Sequence, residues 1–360
     1  MNIIAPINQL GYGIAGLNIA KALSKQCDVA LWAQGDRAEV GEQEDVQIIG
    51  SLIGKRLTAD FNRPCLKIWH QHDMSLFVGK STHIGFPFFE LNTFSDVEKH
   101  SLNSLDKLFV TCEWAKEVAV NNLSLPEDDI HVVPLGVDAN IFTQQQNNES
   151  KDTIFFNCGK WEVRKGHDIL YDVFNSAFEP QDNVQLWMMN SNPFLKPEQQ
   201  KQWQDLYTNT KMGHKIKFID RVKKQSEVYN IMSHTDCGVF PSRAEGWNLE
   251  LLEMMSCGKH VIATDYSAHS QFCNNDNAHL IEINSLETAY DGVWFKGTGE
   301  WAKIDDQAKD QCVSHMRKIH KLKQNNELSI NEHGIETAKE YTWDNTANKI
   351  MEYAHVHETV

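Results

Sequence analysis

Short apolar runs, each followed by an amphipathic segment, alternate along most of this chain, which is the pattern of parallel β-α-β units. In the first half the apolar runs predict strands at residues 2–7, 29–32, 46–49, 66–69, 107–110 and 130–133. The amphipathic segments predict helices at residues 14–24 and 114–121, the first of them after a glycine-containing loop. This half is therefore expected to form one parallel sheet with helices packed on it.

The second half repeats the alternation more clearly. The predicted strands are residues 153–157, 184–189, 216–219, 238–241 and 261–264. The predicted helices are residues 167–178, 197–207, 226–234 and 249–256. A last helix is predicted at residues 335–355, and because no strand follows it, it is free to pack back across a domain boundary.

A polar run, TQQQNNESKD at residues 143–152, has no apolar periodicity and predicts a linker. We therefore expect an N-terminal domain at residues 1–145 and a C-terminal domain at residues 146–335. Residues 336–360 would form the helix that packs back on the first domain. The predicted fold class is α/β, with two Rossmann-like domains whose parallel sheets face each other across a cleft.

Composition agrees with a globular protein of two ordinary domains. Hydrophobic residues make up 41% and charged residues 23% of the 360 residues, and there is no run of the roughly 20 apolar residues that a membrane helix needs. The N-terminal sequence lacks the features of a secretory signal. The eight cysteines have neither a Cys-x-x-Cys pair nor metal-like spacing, so reduced thiols in the core of a cytoplasmic protein are expected.

The formal net charge of −15 weighs against a general nucleic-acid-binding protein, which normally carries a basic face. It also weakens electrostatic docking on anionic lipid, so at most a weak peripheral association with a membrane is expected.

The sharpest candidate site is PSRAEGWNLELLEMMSCG, at residues 241–258. A predicted strand ends there, Glu245 lies on the following loop, and Glu253 lies about one turn into the next helix. The loop carboxylate is suited to accept hydrogen bonds from sugar hydroxyls, and the helix carboxylate to bind a vicinal diol. The free amides at the helix start are suited to a phosphate. A solvated helix face bearing Glu250 and Glu253 is the alternative.

A second candidate is CGKWEVRKGHDIL, at residues 158–170, where a strand runs into a loop with three cations, Lys160, Arg164 and Lys165. Cations between a strand and a helix N-terminus are suited to a diphosphate. Solvated surface lysines are the alternative.

A third candidate, GYGIAG at residues 11–16, matches the dinucleotide pattern G-x-G-x-x-G. Three residues separate it from the predicted strand, and no clean strand-ending acid follows about twenty residues later. A loop under a substrate and a plain tight turn both remain open.

A fourth candidate is WHQHD at residues 69–73, whose His70 and His72 would point to the same side of a strand. No third metal ligand is evident, so the sequence predicts no metal site here.

Taken together, several segments resemble the retaining glycosyltransferases of the GT-B fold, family 4 of the sequence classification, also called group 1. The resemblance covers nearly the whole chain and is clearest between residues 107 and 264. LFVTCEWAKEV and IHVVPLGVDANIF look like the end of the family's first domain. CGKWEVRKGHDIL is similar to its phosphate loop, PSRAEGWNLELLEMMSCGKHVIATD to its Glu-x7-Glu donor motif, and KEYTWDNTANKI to its closing helix.

The resemblance implies a donor site for a nucleoside-diphosphate sugar. Lys165 matches the lysine on the diphosphate, Lys160 stands where arginine is usual, and Glu253 matches the carboxylate that binds the ribose hydroxyls. The other implied donor-binding residues are Gly13, Val222, Gly246, Trp247, Asn248 and Leu249. Tryptophan and asparagine here replace the commoner phenylalanine-glycine pair.

Glu245 matches the carboxylate near the donor sugar, and His72 looks like the histidine that reaches this sugar from the first domain. With Lys165, they are the implied catalytic residues. The implied reaction is transfer of a hexosyl group with retention at the anomeric carbon, without a metal or other cofactor. A glycan or lipid-linked acceptor in polysaccharide biosynthesis is expected.

Other functions stay open. An NAD-dependent oxidoreductase would use GYGIAG, and a glycosyltransferase acting on modified DNA is conceivable although the acidic charge disfavours it. A non-catalytic sugar-nucleotide binder would be expected to lack part of the set formed by the two glutamates and two lysines.

Overall fold

The computed structural model describes residues 1–146 and 148–355, which divide into two compact units. Unit 1 comprises Met1–Asp138, Lys223–Gln225 and the described residues from Glu340 onwards. Unit 2 comprises Ala139–Val222 and Ser226–Lys339. Residue 147 of the predicted linker and residues 356–360 of the predicted C-terminal segment lie outside the described residues.

Unit 1 is built on a parallel sheet. Its strands are β1 (Asn2–Ile7), β2 (Ala30–Ala38), β3 (Cys65–Lys67), β4 (His83–Gly85), β5 (Lys107–Val110) and β6 (Ile130–Val132). The helices between them are α1 (Gly11–Ser24), α2 (Gln43–Gly54), α3 (Asp96–Leu102) and α4 (Glu113–Asn122). The strand order is β2-β1-β3-β4-β5-β6, and every neighbouring pair is parallel.

Residues 46–49 belong to helix α2, so the strand predicted there is wrong. Their burial follows the helical spacing, because Ile49 and Leu52 are buried three residues apart while Val46 and Ile48 are exposed. A short apolar run does not by itself distinguish a strand from a helix. Strand β4 and helix α3, which were not predicted, complete this unit.

Unit 2 repeats the architecture. Its strands are β7 (Thr153–Gly159), β8 (Val184–Asn190), β9 (Ile216–Phe218), β10 (Cys237–Phe240), β11 (His260–Thr264) and β12 (His279–Ile281). Its helices are α5 (His167–Ala177), α6 (Pro197–Thr208), α7 (Gln225–Ser233), α8 (Leu249–Ser256), α9 (Asp306–Gln324) and α10 (Glu332–Glu340), and a hairpin, β13 (Leu286–Tyr290) and β14 (Lys296–Ala302), precedes α9. The sheet order is β12-β11-β10-β7-β8-β9, again parallel throughout.

The strands and helices predicted between residues 153 and 264 are all present, each within two residues of its predicted ends. The hairpin and helix α9 were not predicted. Helix α9 packs on α5, and both helices share a core with the sheet, in which Phe155 of β7 and Phe174 of α5 are buried. Two α/β units with parallel sheets confirm the predicted fold class. No described helix is both long and apolar enough to cross a membrane.

The segment predicted as one helix at residues 335–355 contains two, α10 and α11 (Trp343–Tyr353). Between them the Tyr341 carbonyl accepts a hydrogen bond from the Val137 N–H at 3.0 Å. Thr342 then caps α11 by accepting from the Asn345 N–H at 3.1 Å. Helix α11 packs on α1 within unit 1.

Gly136 lies against this break. A Cβ atom on it would lie inside van der Waals contact with the backbone of Thr342 and Trp343. We expect Gly136→Ala to lower the free energy of unfolding by about 1–3 kcal/mol, the usual cost of overpacking. Gly50, inside α2, has open space around the same position, so Gly50→Ala should raise the free energy of unfolding by roughly 0.5–1 kcal/mol. Urea titration of both variants checks this, and a Gly136→Ala variant as stable as the parent would contradict it.

Candidate active site

The first predicted motif forms the loop between β10 and α8, together with that helix. Asn248 caps α8 by accepting a hydrogen bond on Oδ1 from the Leu251 N–H at 3.2 Å. The N–H groups of Leu249 and Glu250 come before that of Leu251 in the first turn of α8. N–H groups at this end of a helix have no intrahelical partner and carry partial positive charge. This end of the helix is therefore suited to an anion.

Glu245 is buried in the loop and is already well bonded. Its carboxylate accepts hydrogen bonds from Arg164 Nη1 at 2.7 Å, Lys165 Nζ at 2.8 Å and Ser242 Oγ at 2.8 Å. Burial opposes its ionisation, but the charges of Arg164 and Lys165 outweigh burial and hold the pKa of Glu245 well below normal. Glu245 is a permanently charged group that joins two loops.

The second predicted motif forms the loop between β7 and α5, and its three cations have different surroundings. Arg164 is buried and also bonds Glu162 at 2.8 Å and the Ala244 carbonyl at 2.7 Å. Lys160 is partly exposed and pairs with Glu162 at 2.8 Å. Arg164 is thus committed to the protein, whereas Lys160 remains accessible to a ligand.

Lys165 is a largely buried cation whose side chain lies against the end of β7. Burial lowers the pKa of its amine, but the nearby carboxylates of Glu245 and then Glu250 outweigh this and raise the pKa above normal. Its aliphatic chain crosses Gly159, where a Cβ atom would meet it at 3.0 Å. Gly159, with φ of 139°, lets the amine reach the end of the strand.

Glu253, on α8, has the opposite environment to Glu245. The residue is 6% exposed, and no hydrogen bond or ion pair to its carboxylate is present among the residues that the structure describes. Burial, with a smaller contribution from the charge of Glu250, raises the pKa of Glu253 well above normal. A buried carboxylate without a partner is ready to accept hydrogen bonds from a ligand.

Cys158, at the end of β7, shows that the two motifs meet. Burial raises the pKa of its thiol, and the charges that act on it next are those of Glu250, Glu253, Lys165 and Arg221. The carboxyl end of β7 therefore lies among carboxylates from α8 and cations from two loops. Arg221 was not among the predicted site residues, although it directly precedes Val222, which is half-buried.

Trp247 is packed rather than presented to solvent. It is 3% exposed and its ring lies 4.8 Å from that of Phe272. This predicted donor-binding residue and its neighbour Gly246 are therefore both buried in the loop between β10 and α8.

A buried polar network that sequence reasoning missed supports the β7 loop. His167 Nδ1 accepts from the Glu162 N–H at 3.1 Å, so its proton lies on Nε2, which is 2.9 Å from Asn157 Oδ1. Asn190 Nδ2 donates to the same oxygen at 2.8 Å. Burial, followed by the charge of Lys165, lowers the pKa of His167 to about 3, so its imidazole is neutral at ordinary pH.

The predicted residues of unit 1 lie at the carboxyl ends of its strands. Helix α1 begins at Gly11, so Gly13 belongs to the first helical turn instead of a loop, and a Cβ on it would collide with the backbone of Asn8. His72 is exposed, and its ring stacks on that of His70 at 5.6 Å. Among the described residues no three His, Cys, Asp or Glu side chains are grouped as metal ligands.

The family described as "Glycosyl transferases group 1" matches residues 138–293, a little under half of the chain and mostly in unit 2. A protein of the Sulfolobus islandicus filamentous virus, named as a glycosyltransferase, is 22% identical over 185 residues, which are 50% of this chain. The chain spans 47% of the length of that relative.

Solved structures resemble the chain over nearly its full length. HepE of Anabaena, in a crystal structure with UDP and glucose, has a TM-score of 0.69 at 13% identity and covers 98% of both chains. Sucrose-phosphate synthase of Thermosynechococcus elongatus has the same TM-score, identity and coverage. At these identities the likeness shows the fold, which is that of the GT-B glycosyltransferases.

The unpartnered carboxylate of Glu253 has a measurable consequence for stability. A carboxyl group whose pKa is raised by folding adds stability only while it is protonated, and that stability is lost as the pH rises through the folded-state pKa. We therefore expect Glu253→Gln, which removes the buried charge and keeps the polar side chain, to raise the free energy of unfolding at high pH by about 1.4 kcal/mol or more, the free energy that corresponds to one pKa unit. The gain should shrink as the pH falls and Glu253 becomes protonated.

Urea titration at several pH values measures this. Glu198→Gln, on the exposed first turn of α6, is the matched control and should leave the free energy of unfolding nearly unchanged. A Glu253→Gln variant less stable than the parent at high pH would show that the carboxylate has a protein partner.

Proposed function

We propose that the protein is a retaining, metal-independent glycosyltransferase whose unit 2 binds a nucleoside-diphosphate sugar. The observation that carries the proposal is Glu253, a buried carboxylate without a protein partner at the end of β7. A ribose diol supplies two O–H donors to one carboxylate. The ribose hydroxyls of the nucleotide would thus donate the hydrogen bonds that Glu253 does not receive from the protein. These bonds would compensate for the cost of burying the charge of Glu253.

The diphosphate would lie between the cations and the helix start. Lys160 is accessible, Lys165 lies at the end of β7, and the first amides of α8 carry partial positive charge. These groups would stabilise the negative charge that grows on the diphosphate as the glycosidic bond breaks. Arg164 would act through Glu245, because its donors are already used within the protein.

Retention fits the state of Glu245. A carboxylate held by two cations is a weak nucleophile and a weak base, so it is poorly suited to form a covalent glycosyl intermediate or to deprotonate an acceptor. The departing diphosphate would instead take the proton from the acceptor hydroxyl on the face it leaves, which retains the anomeric configuration. Glu245 would position Lys165 and bond the sugar with its remaining lone pairs.

The comparisons support a UDP-hexose as the first donor to test, because UDP and glucose are bound to the structurally similar HepE. The match to the group 1 family over most of unit 2 supports a nucleotide-sugar donor more generally. A glycan or lipid-linked hydroxyl in the cytoplasm is the proposed acceptor, and His72 of unit 1 is proposed to contact the sugar. Val222 is proposed to lie beside the base.

Use of GYGIAG by NAD fits the structure less well. In a dinucleotide-binding turn the first glycine makes the tight turn after the strand and the second admits the pyrophosphate. Here Gly11 already begins α1, and the space that a Cβ on Gly13 would occupy is taken by Asn8 of the chain itself. The second glycine therefore accommodates protein atoms in this structure.

A thermal-shift screen with UDP, GDP, ADP, CMP and NAD, with and without magnesium, tests the donor site. We expect one nucleoside diphosphate to stabilise the parent without magnesium, by about 2.7 kcal/mol at 100 times its Kd. Glu253→Gln should weaken this binding by roughly tenfold, about the 1.4 kcal/mol of one charged hydrogen bond, while Glu198→Gln binds like the parent. A response to NAD alone would overturn the proposal and favour an oxidoreductase.

Retention of the anomeric configuration can be measured without knowing the acceptor. Transferases of this kind are expected to hydrolyse their donor slowly, with water in place of the acceptor. Proton NMR of the sugar first released from UDP-α-glucose, or from the α-linked sugar of the nucleotide that binds, should show the α-anomer before mutarotation. The β-anomer as first product would show inversion and exclude the proposed mechanism.

A further inference from the structure

Asn248 holds a backbone conformation that side chains rarely adopt. Its φ of 86° lies in the left-handed region, and so does the φ of 54° of Ser267, in the turn that follows β11. Asn248 belongs to the loop of the candidate active site that precedes α8. Such conformations cost about 1–3 kcal/mol and persist only where surrounding contacts enforce them. The contacts that enforce this one therefore bear on the geometry of the site.

A short 3-10 helix, Ser267–Gln271, provides those contacts. Ser267 Oγ accepts a hydrogen bond from the Glu245 N–H at 2.9 Å, and the Ala268 N–H donates to the Glu245 carbonyl at 3.3 Å. Asn248 Nδ2 lies 2.9 Å from His269 Nε2. The turn thus holds the loop at its beginning, through Glu245, and at its end, through Asn248.

His269 is suited to hold Asn248 because only one tautomer fits its surroundings. It is fully buried, and its Nδ1 lies 3.0 Å from the Thr264 carbonyl, which can only accept. The proton is therefore on Nδ1, and Nε2 accepts from the Asn248 amide. Burial outweighs the attraction of Glu245 and lowers the pKa of His269 to about 4, so this neutral form persists at ordinary pH.

We propose that His269 is a positioning residue of the donor site, which holds Asn248 so that the first amides of α8 face the donor diphosphate. Asn248 is bonded at both ends of its side-chain amide, since Oδ1 caps the Leu251 N–H while Nδ2 donates to His269. Without His269, the strained backbone of Asn248 is free to relax, and the amides turn with it. This role rests on the proposed function.

A double-mutant cycle separates positioning from simple packing. Glycine adopts a φ of 86° without strain and has no side chain to hold. His269→Ala should therefore weaken binding of the nucleoside diphosphate found in the screen by about tenfold when residue 248 is asparagine. In the Asn248→Gly background, which has its own reference Kd, the same change should alter Kd by less than twofold.

The melting temperature of the four proteins serves as the control, because the cavity left by His269→Ala should lower it in both backgrounds. His269→Gln, which keeps a donor and an acceptor, should recover part of the affinity. An equal loss of affinity in both backgrounds, or no loss in either, would overturn the positioning role.

If His269→Ala does not fold, the Kd values of Asn248→Ala and Asn248→Gly test the positioning of Asn248 instead. Alanine is strained at a φ of 86° and has no hydrogen bond to hold it there, so the backbone should relax and the Kd should be about tenfold weaker than that of the glycine variant. Equal Kd values would again overturn the proposal. A parent that binds no nucleoside diphosphate at all would instead contradict the proposed function.

Discussion

The buried Glu245 carboxylate, bonded to Arg164 and Lys165, is the interaction on which the rest of the site depends. It joins the loop after β7 to the loop after β10, two strands that are neighbours in the sheet. Removing one partner of such a pair leaves an uncompensated buried charge, at a cost of about 3–5 kcal/mol. Both loops are therefore held at the strand ends, where Lys165 and the start of α8 lie.

Because Glu245, Arg164 and Lys165 hold the two loops, Glu253 can stay buried without a partner. It lies on the helix that follows the same loop, yet its carboxylate has no partner among the described residues, while that of Glu245 has three. An isolated buried carboxylate is unfavourable for the protein without ligand. The fold tolerates it because the bonds of Glu245 hold the surrounding loops without any contribution from Glu253. Stability and binding are thus assigned to two glutamates of one motif.

Two buried, neutral histidines hold the loops of the candidate site through hydrogen bonds. His167 fixes the loop after β7 through Asn157 and the Glu162 amide, and His269 fixes the start of α8 through Asn248. Burial keeps both imidazoles uncharged, so each has one donor and one acceptor with a defined direction. Such support limits the reorganisation that would otherwise be needed when charge develops on a ligand.

The sequence by itself determined the two α/β units, the parallel strands of the second half and the two motifs that meet there, because apolar periodicity and local spacing are properties of neighbouring residues. It misplaced residues 46–49 and did not separate α10 from α11, since burial and a distant backbone bond decide those elements. Only the tertiary structure decided that Glu245 is paired and Glu253 is not, and that His269 holds Asn248. Those differences arise from side chains far apart in the chain, whose distances no local pattern contains.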